Sequence, residues 1–157
     1  EGATALLGRV NNLEKAGLPF GVQHWFSQEL RLDIAIHKKD RVELERLIRD
    51  KRQRGGQAKK DMSCVTLLRE SEIGVALEEP QRIIPALEQV VAGECIFPEN
   101  RGTLLAIARV GLADALSQVG RRYEASKLMV DFRVDWYNPD EDLPLVQQAT
   151  AVEEGLQ

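Results

Sequence analysis

Apolar residues recur every three or four positions along almost the whole chain, and this periodicity limits the chain to amphipathic helices. Leu6, Val10 and Leu13 set the pattern, and Ala16-Gly17-Leu18-Pro19 ends it with a glycine stop followed by proline. A second helix is predicted from about Val22 to His37, with an apolar face of Trp25, Phe26, Leu30, Ile34 and Ile36. Asp40 can cap a third helix carrying Val42, Leu44, Leu47 and Ile48. Its outer face offers Glu45/Arg49 and Arg46/Asp50 as pairs one turn apart. Gly55-Gly56 reads as the clearest linker. No alternating Val/Ile/Thr run with Asn-Gly or Asp-Gly turns occurs, so no sheet is expected.

Five further helices follow. They are predicted over about Lys60–Leu77, Gln81–Ala92, the strongly apolar stretch Leu104–Leu116, Arg121–Trp136 and Leu143–Glu154. Pro85 should delay or kink the second of these, Asn100 can cap the third, and Gly120 ends it. Asp142 is the expected cap of the last, with Pro144 in its first turn. Short turns between successive helices imply antiparallel neighbours, so the expected fold is all-α, with seven or eight helices.

One pattern repeats. Glu70-x-x-Ile73-Gly74-x-x-Leu77, then Ala86-x-x-x-Val90, returns 39 residues later as Arg109-x-x-Leu112-Ala113-x-x-Leu116, then Ala125-x-x-x-Met129. The small residues let paired helices approach, and the large ones fill the space between pairs. This spacing resembles the tetratricopeptide repeat, whose signature is W-x2-L-G-x2-Y, A-x3-F and P over about 34 residues. The departures are Glu70 and Arg109 at the Trp position, Leu77 and Leu116 at the Tyr position, and the longer period. The resemblance implies a right-handed array of stacked hairpins: a degenerate one over 22–54, repeats over 60–98 and 100–139, and a terminal helix over 143–154. It also implies a concave groove lined by first-helix side chains, which assigns Arg69, Glu72, Arg109 and Asp114 to partner binding. The whole chain, 1–157, is read as one helical-repeat domain, and its opening at Glu1 without Met as a sign of a longer parent.

Charge adds a second signal. The net charge of −4 conceals a basic stretch over 38–60, with ten basic and four acidic residues, and an acidic tail over 131–157, with seven acidic and one basic. Lys38, Lys39, Arg46, Arg49, Arg52, Lys59 and Lys60 form the candidate basic patch. It is read first as a solvated helix face, then as a surface for an acidic partner, with contact between the basic and acidic ends of neighbouring molecules as a route to a homo-oligomer. Aromatics are not interleaved with these residues, which argues against nucleic acid. Those the chain has cluster at Phe20, Trp25 and Phe26 and at Phe132, Trp136 and Tyr137, as core, end-capping or domain-contact groups.

Catalytic and metal signatures are absent from the sequence. His24 and His37 do not stand at ligand spacing, no serine lies in a G-x-S-x-G turn, and the acids from Asp135 to Asp142 do not follow a calcium loop. No catalytic residue, metal ligand or cofactor is assigned. Cys64 and Cys95, 31 residues apart, read as buried free thiols in a reducing, cytoplasmic setting, with a disulfide or redox switch as the alternative. No apolar run reaches the roughly 18 residues of a membrane span. The expected function is non-enzymatic: a module that binds another protein, or a domain of its parent chain, in the array's groove. The alternative is an effector-sensing domain of a larger bacterial transcriptional or signalling regulator, by similarity to the long irregular repeats of such proteins.

Overall fold

The computed structural model describes residues 20–54, 63–97, 101–137 and 139–157. Seven α-helices lie among them: α1 (Phe20–Lys38), α2 (Arg41–Arg54), α3 (Cys64–Leu77), α4 (Pro80–Ala92), α5 (Arg101–Gln118), α6 (Arg122–Asp135) and α7 (Pro144–Leu156). The described residues contain no strand, only one isolated bridge between Ser63 and Ile96. The all-helical expectation therefore holds. The chain divides into two compact units, Glu1–Gln57 and Ala58–Gln157, at a boundary just beyond Gly55-Gly56. The helix expected around Leu6–Leu13, the linker glycines and the Asn100 cap lie outside the described residues.

In the first unit, α1 and α2 form a hairpin. Lys39 takes a positive φ of 51°, and the amide of Asp40 donates to the carbonyl of Ala35 at 2.9 Å, which closes α1. Asp40 then caps α2: its Oδ1 accepts from the Glu43 amide at 3.1 Å. Leu32 and Ala35 meet the requirement for an inward face on α1, as do Leu44, Leu47 and Ile48 on α2; all five are buried.

In the second unit each helix packs on the next in sequence. The α3–α4 turn is only Glu78-Glu79, with Glu78 at φ 59°, and Pro80 sits at the first position of α4, where a missing amide proton costs nothing. Gly74 accounts for the closeness of the pair. A β-carbon there would stand 2.6 Å from Ile83 Cγ1 and 3.3 Å from the Ile83 amide nitrogen. The recurrent apolar positions of the second unit are buried, Ile73, Leu77, Ala86 and Val90 in one copy and Leu112, Leu116, Ala125 and Met129 in the other, while Glu70 and Arg109 are half-buried. Helix α5 is buried on several sides, through Ala106, Ala108, Val110, Leu112, Ala113, Ala115 and Leu116. It packs against α4, α6 and α7, which explains why its sequence is apolar all round. Gly120, at φ 81°, ends α5 as expected, and the Arg121 amide closes back on the Leu116 carbonyl at 2.9 Å.

Three sequence expectations need correction here. Helix α3 begins at Cys64 rather than near Lys60, because Ser63 caps it with its Oγ accepting from the Val65 amide at 3.3 Å. Pro85 does not delay α4, which runs from Pro80 through it. The amide proton that Pro85 lacks would have served the carbonyl of Gln81, an exposed residue in the first turn. Asp142 does not cap α7. The N-cap is Leu143, without a side-chain bond, and the Asp142 amide is instead turned onto Asp140 Oδ1 at 3.0 Å.

The cysteines are a larger correction. Cys64 and Cys95 are joined in a disulfide, with Cα atoms 5.1 Å apart. The bond ties the start of α3 to the segment after α4, where the Cys64 amide also donates to the Ile96 carbonyl at 3.1 Å. The ground that free thiols offered for a reducing compartment is therefore withdrawn. No helix among the described residues is long and apolar enough to cross a membrane.

Candidate functional site

A cleft of about 340 Å³ opens between α3 and α5 in the second unit. Its floor comes from three helices: Leu68 and Ser71 of α3, Ile83 and Leu87 of α4, and Gly111 and Ala115 of α5. Ser71 is the one polar residue of this floor, and its hydroxyl is spent on the Leu68 carbonyl at 2.7 Å. The floor therefore presents carbon. Gly111 keeps it deep: a β-carbon there would reach within 3.1 Å of Leu87 Cδ1.

Two large apolar residues remain open to solvent at the walls, Val75 of α3 at 58% and Ile107 of α5 at 41% exposure. Around them the rim is acidic and amide-bearing. Glu72, Glu78 and Asp114 supply carboxylates, Gln118 and Gln148 supply amides, and among the described residues neither lysine nor arginine lines the cleft. Glu72 is already paired with Arg69, so the carboxylate that such a surface offers to a cation beside an apolar anchor is chiefly that of Asp114.

The four groove residues read from the sequence fall differently. Glu72 and Asp114 line this cleft together. Arg69 lies one turn from Glu72 and donates to its Oε2 at 2.5 Å, so it orients a rim carboxylate. Arg109 is not in the lining; its guanidinium is bonded to Asp135 of α6, tying two helices together. Val75 and Ile107 were missed as contacts. The available signal was surplus apolar content, since α3 and α5 each carry more large apolar residues than one buried stripe requires.

The basic stretch is partly neutralised along α2. Arg46 is held between Glu43 at 2.6 Å and Asp50 at 2.8 Å. The hydrogen bond from Arg46 draws the Glu43 carboxyl below its ordinary range and raises the guanidinium in turn. Glu45 takes Arg41 at 3.1 Å rather than the expected Arg49. Lys38, Lys39 and Arg49 are exposed. Arg52 belongs to α2, while Lys59 and Lys60 lie outside the described residues.

Elsewhere in the second unit, Arg133 of α6 reaches Glu153 of α7 through two bonds, at 3.0 and 2.6 Å, and its charged form is favoured chiefly by that contact. Among the described residues no group of three His, Cys, Asp or Glu side chains is placed to hold a metal ion. Compared with known proteins, the chain matches no family model, no curated protein and no solved structure. The functional reading therefore rests on the geometry of the cleft.

Proposed function

We propose that this chain is a binding module rather than a catalyst, and that the α3–α5 cleft receives a short segment of another protein or of the parent chain. The segment would place an aliphatic or aromatic side chain on the floor and a lysine or arginine at the rim. The observation that carries this reading is the exposure of Val75 and Ile107 above a floor of buried carbon, ringed by Glu72, Glu78 and Asp114. Apolar anchors in a desolvated pocket supply most of an interface's affinity, and a polar rim sets orientation.

We also read the helices of the second unit as a tetratricopeptide-like array, with α3/α4 and α5/α6 as successive pairs and α7 opening a third. The close approach at Gly74 and the buried alanines Ala86, Ala113 and Ala125 support that reading. Selection of displayed random peptides on the immobilised chain tests the function. Enriched peptides should share an apolar anchor beside Lys or Arg, and should lose binding to Ile107→Lys. Failure to enrich any peptide would count against it.

The cleft volume also falls within the range of small-ligand sites, about 300–1,000 Å³, which supports a second reading as an effector-sensing regulatory domain. A thermal-shift screen with cationic metabolites separates the two, since stabilisation by one of them without peptide enrichment would favour the sensor.

A further inference from the structure

The Cys64–Cys95 disulfide stands at the open end of the α3–α4 hairpin. At the closed end the Glu78-Glu79 turn and the close approach of Gly74 to Ile83 hold the two helices together. At the open end the disulfide joins the start of α3 to the segment after α4, beside the hydrogen bond from the Cys64 amide to the Ile96 carbonyl. This end reaches the cleft. Leu68, one turn after Cys64 on the same face of α3, forms part of the cleft floor, and Leu87 of α4 forms another part. Cys64, Leu68 and Leu87 belong to one buried cluster. Glu72 and Val75 continue α3 as one wall, with Ile107 and Asp114 of α5 opposite. Helix α3 packs chiefly on α4 and only narrowly on α5, so its hold on α4 sets where that wall stands.

The two sulfurs are unequally placed. Cys64 is fully buried, while Cys95 is half-buried in a segment whose Gly93, Glu94 and Ile96 are exposed. A reductant can therefore reach Cys95 in the folded chain. We propose that this disulfide is a redox lock on the cleft: formed, it fixes the α3 wall for a bound segment, and opened by a dithiol reductant, it frees the first turn of α3 and weakens binding. The proposal rests on the reading of the cleft as a peptide site. The exchange balances in two steps. A thiolate of the dithiol attacks Cys95 Sγ, the protein S–S bond breaks, and its electron pair leaves on Cys64 Sγ, which takes a proton. The reductant's second thiolate then closes a disulfide within the reductant and releases Cys95, which is protonated in turn. Two electrons and two protons pass to the chain. The positive end of α3 offsets part of what burial costs the departing Cys64 thiolate. The Ser63 cap and the Gly74–Ile83 contact do not depend on the bond, so the hairpin keeps its helices when it opens. A wall no longer held in place must be ordered on binding, and that ordering costs affinity.

The full chain, treated with dithiothreitol in the absence of denaturant, tests it. Both thiols should become reactive to a maleimide while the circular dichroism spectrum keeps its helical form. Amide hydrogen exchange over Cys64–Leu68 should quicken by about tenfold, with that of α6 and α7 unchanged. Affinity for a peptide selected on the oxidised chain should fall by about tenfold and return on reoxidation with oxidised glutathione. The Cys64→Ser/Cys95→Ser chain should bind as the reduced chain does, in either buffer. Equal affinity in both states, still abolished by Ile107→Lys, would overturn the redox lock and leave the cleft as the binding site. A peptide that binds neither state would overturn the cleft reading and the lock with it. Thiols that react only in denaturant, or a loss of helix on reduction, would show a structural staple and overturn the lock alone.

Discussion

Ile83 Cγ1 stands 2.6 Å from the point where a β-carbon on Gly74 would lie, so α3 and α4 touch almost backbone to backbone at that level. Gly74→Ala should therefore destabilise the second unit, by about 1–3 kcal/mol of overpacking, despite the roughly 1 kcal/mol that alanine adds to helix propensity. Chemical denaturation measures it. Ile83→Ala in the same chain should absorb part of the loss, because the clashing atom is gone. The two changes should therefore be less than additive.

Gly120 offers the opposite case. Nothing lies within 4 Å of a β-carbon there, but φ is +81°. Gly120→Ala should cost about 1 kcal/mol through the backbone alone. Compensating core changes should recover none of it, and the same denaturation curves would show this.

The Cys64–Cys95 bond closes a separation of 31 residues. On the chain-entropy account it should contribute about 3–4 kcal/mol to the second unit. Urea unfolding with and without a reductant checks this, as does a Cys64→Ser/Cys95→Ser chain. Unfolded, unreduced protein should show no titratable thiol.

Acid should loosen α2 and the start of α6 first. Glu43 and Glu124 are both held below their ordinary ranges, chiefly by hydrogen bonds from Arg46 and Arg121. A carboxyl lowered on folding stabilises the fold above its unfolded value, and that stability is lost as pH falls through the lowered one. The melting temperature should fall with acidification over that interval. Arg46→Met and Arg121→Met should each flatten part of the slope, and an unchanged slope in both would contradict the assignment. The contacts are exposed, so the effect is small and should shrink in high salt.

Much of the second unit was legible because its packing is local and periodic. Gly74, Ala86, Ala113 and Ala125 fall where a helix pair needs small residues, and Gly120 stops α5 through a backbone angle that glycine adopts freely. Contacts that cross the chain were hidden. Cys64 meets Cys95 only because α3 and α4 fold back on each other, and Arg109 finds Asp135 26 residues away on α6. The α7 cap was misread because several acids crowd the turn, and the chain spends Asp140 on the turn itself. Two of the four groove residues, Glu72 and Asp114, do share a cleft. Its apolar walls, Val75 and Ile107, were indistinguishable by periodicity from core residues until burial separated them.

Affinity for a selected peptide decides whether the α3–α5 cleft is the binding site. Fluorescence anisotropy would follow binding of the best enriched peptide to the unmodified chain and to the Ile107→Lys and Asp114→Lys variants, both of which should keep the parent melting temperature within a few degrees. Loss of about 1–2 kcal/mol of binding in each variant, roughly a factor of 5 to 30, is the predicted result. Equal affinity for all three proteins would contradict the assignment of this cleft as the binding site.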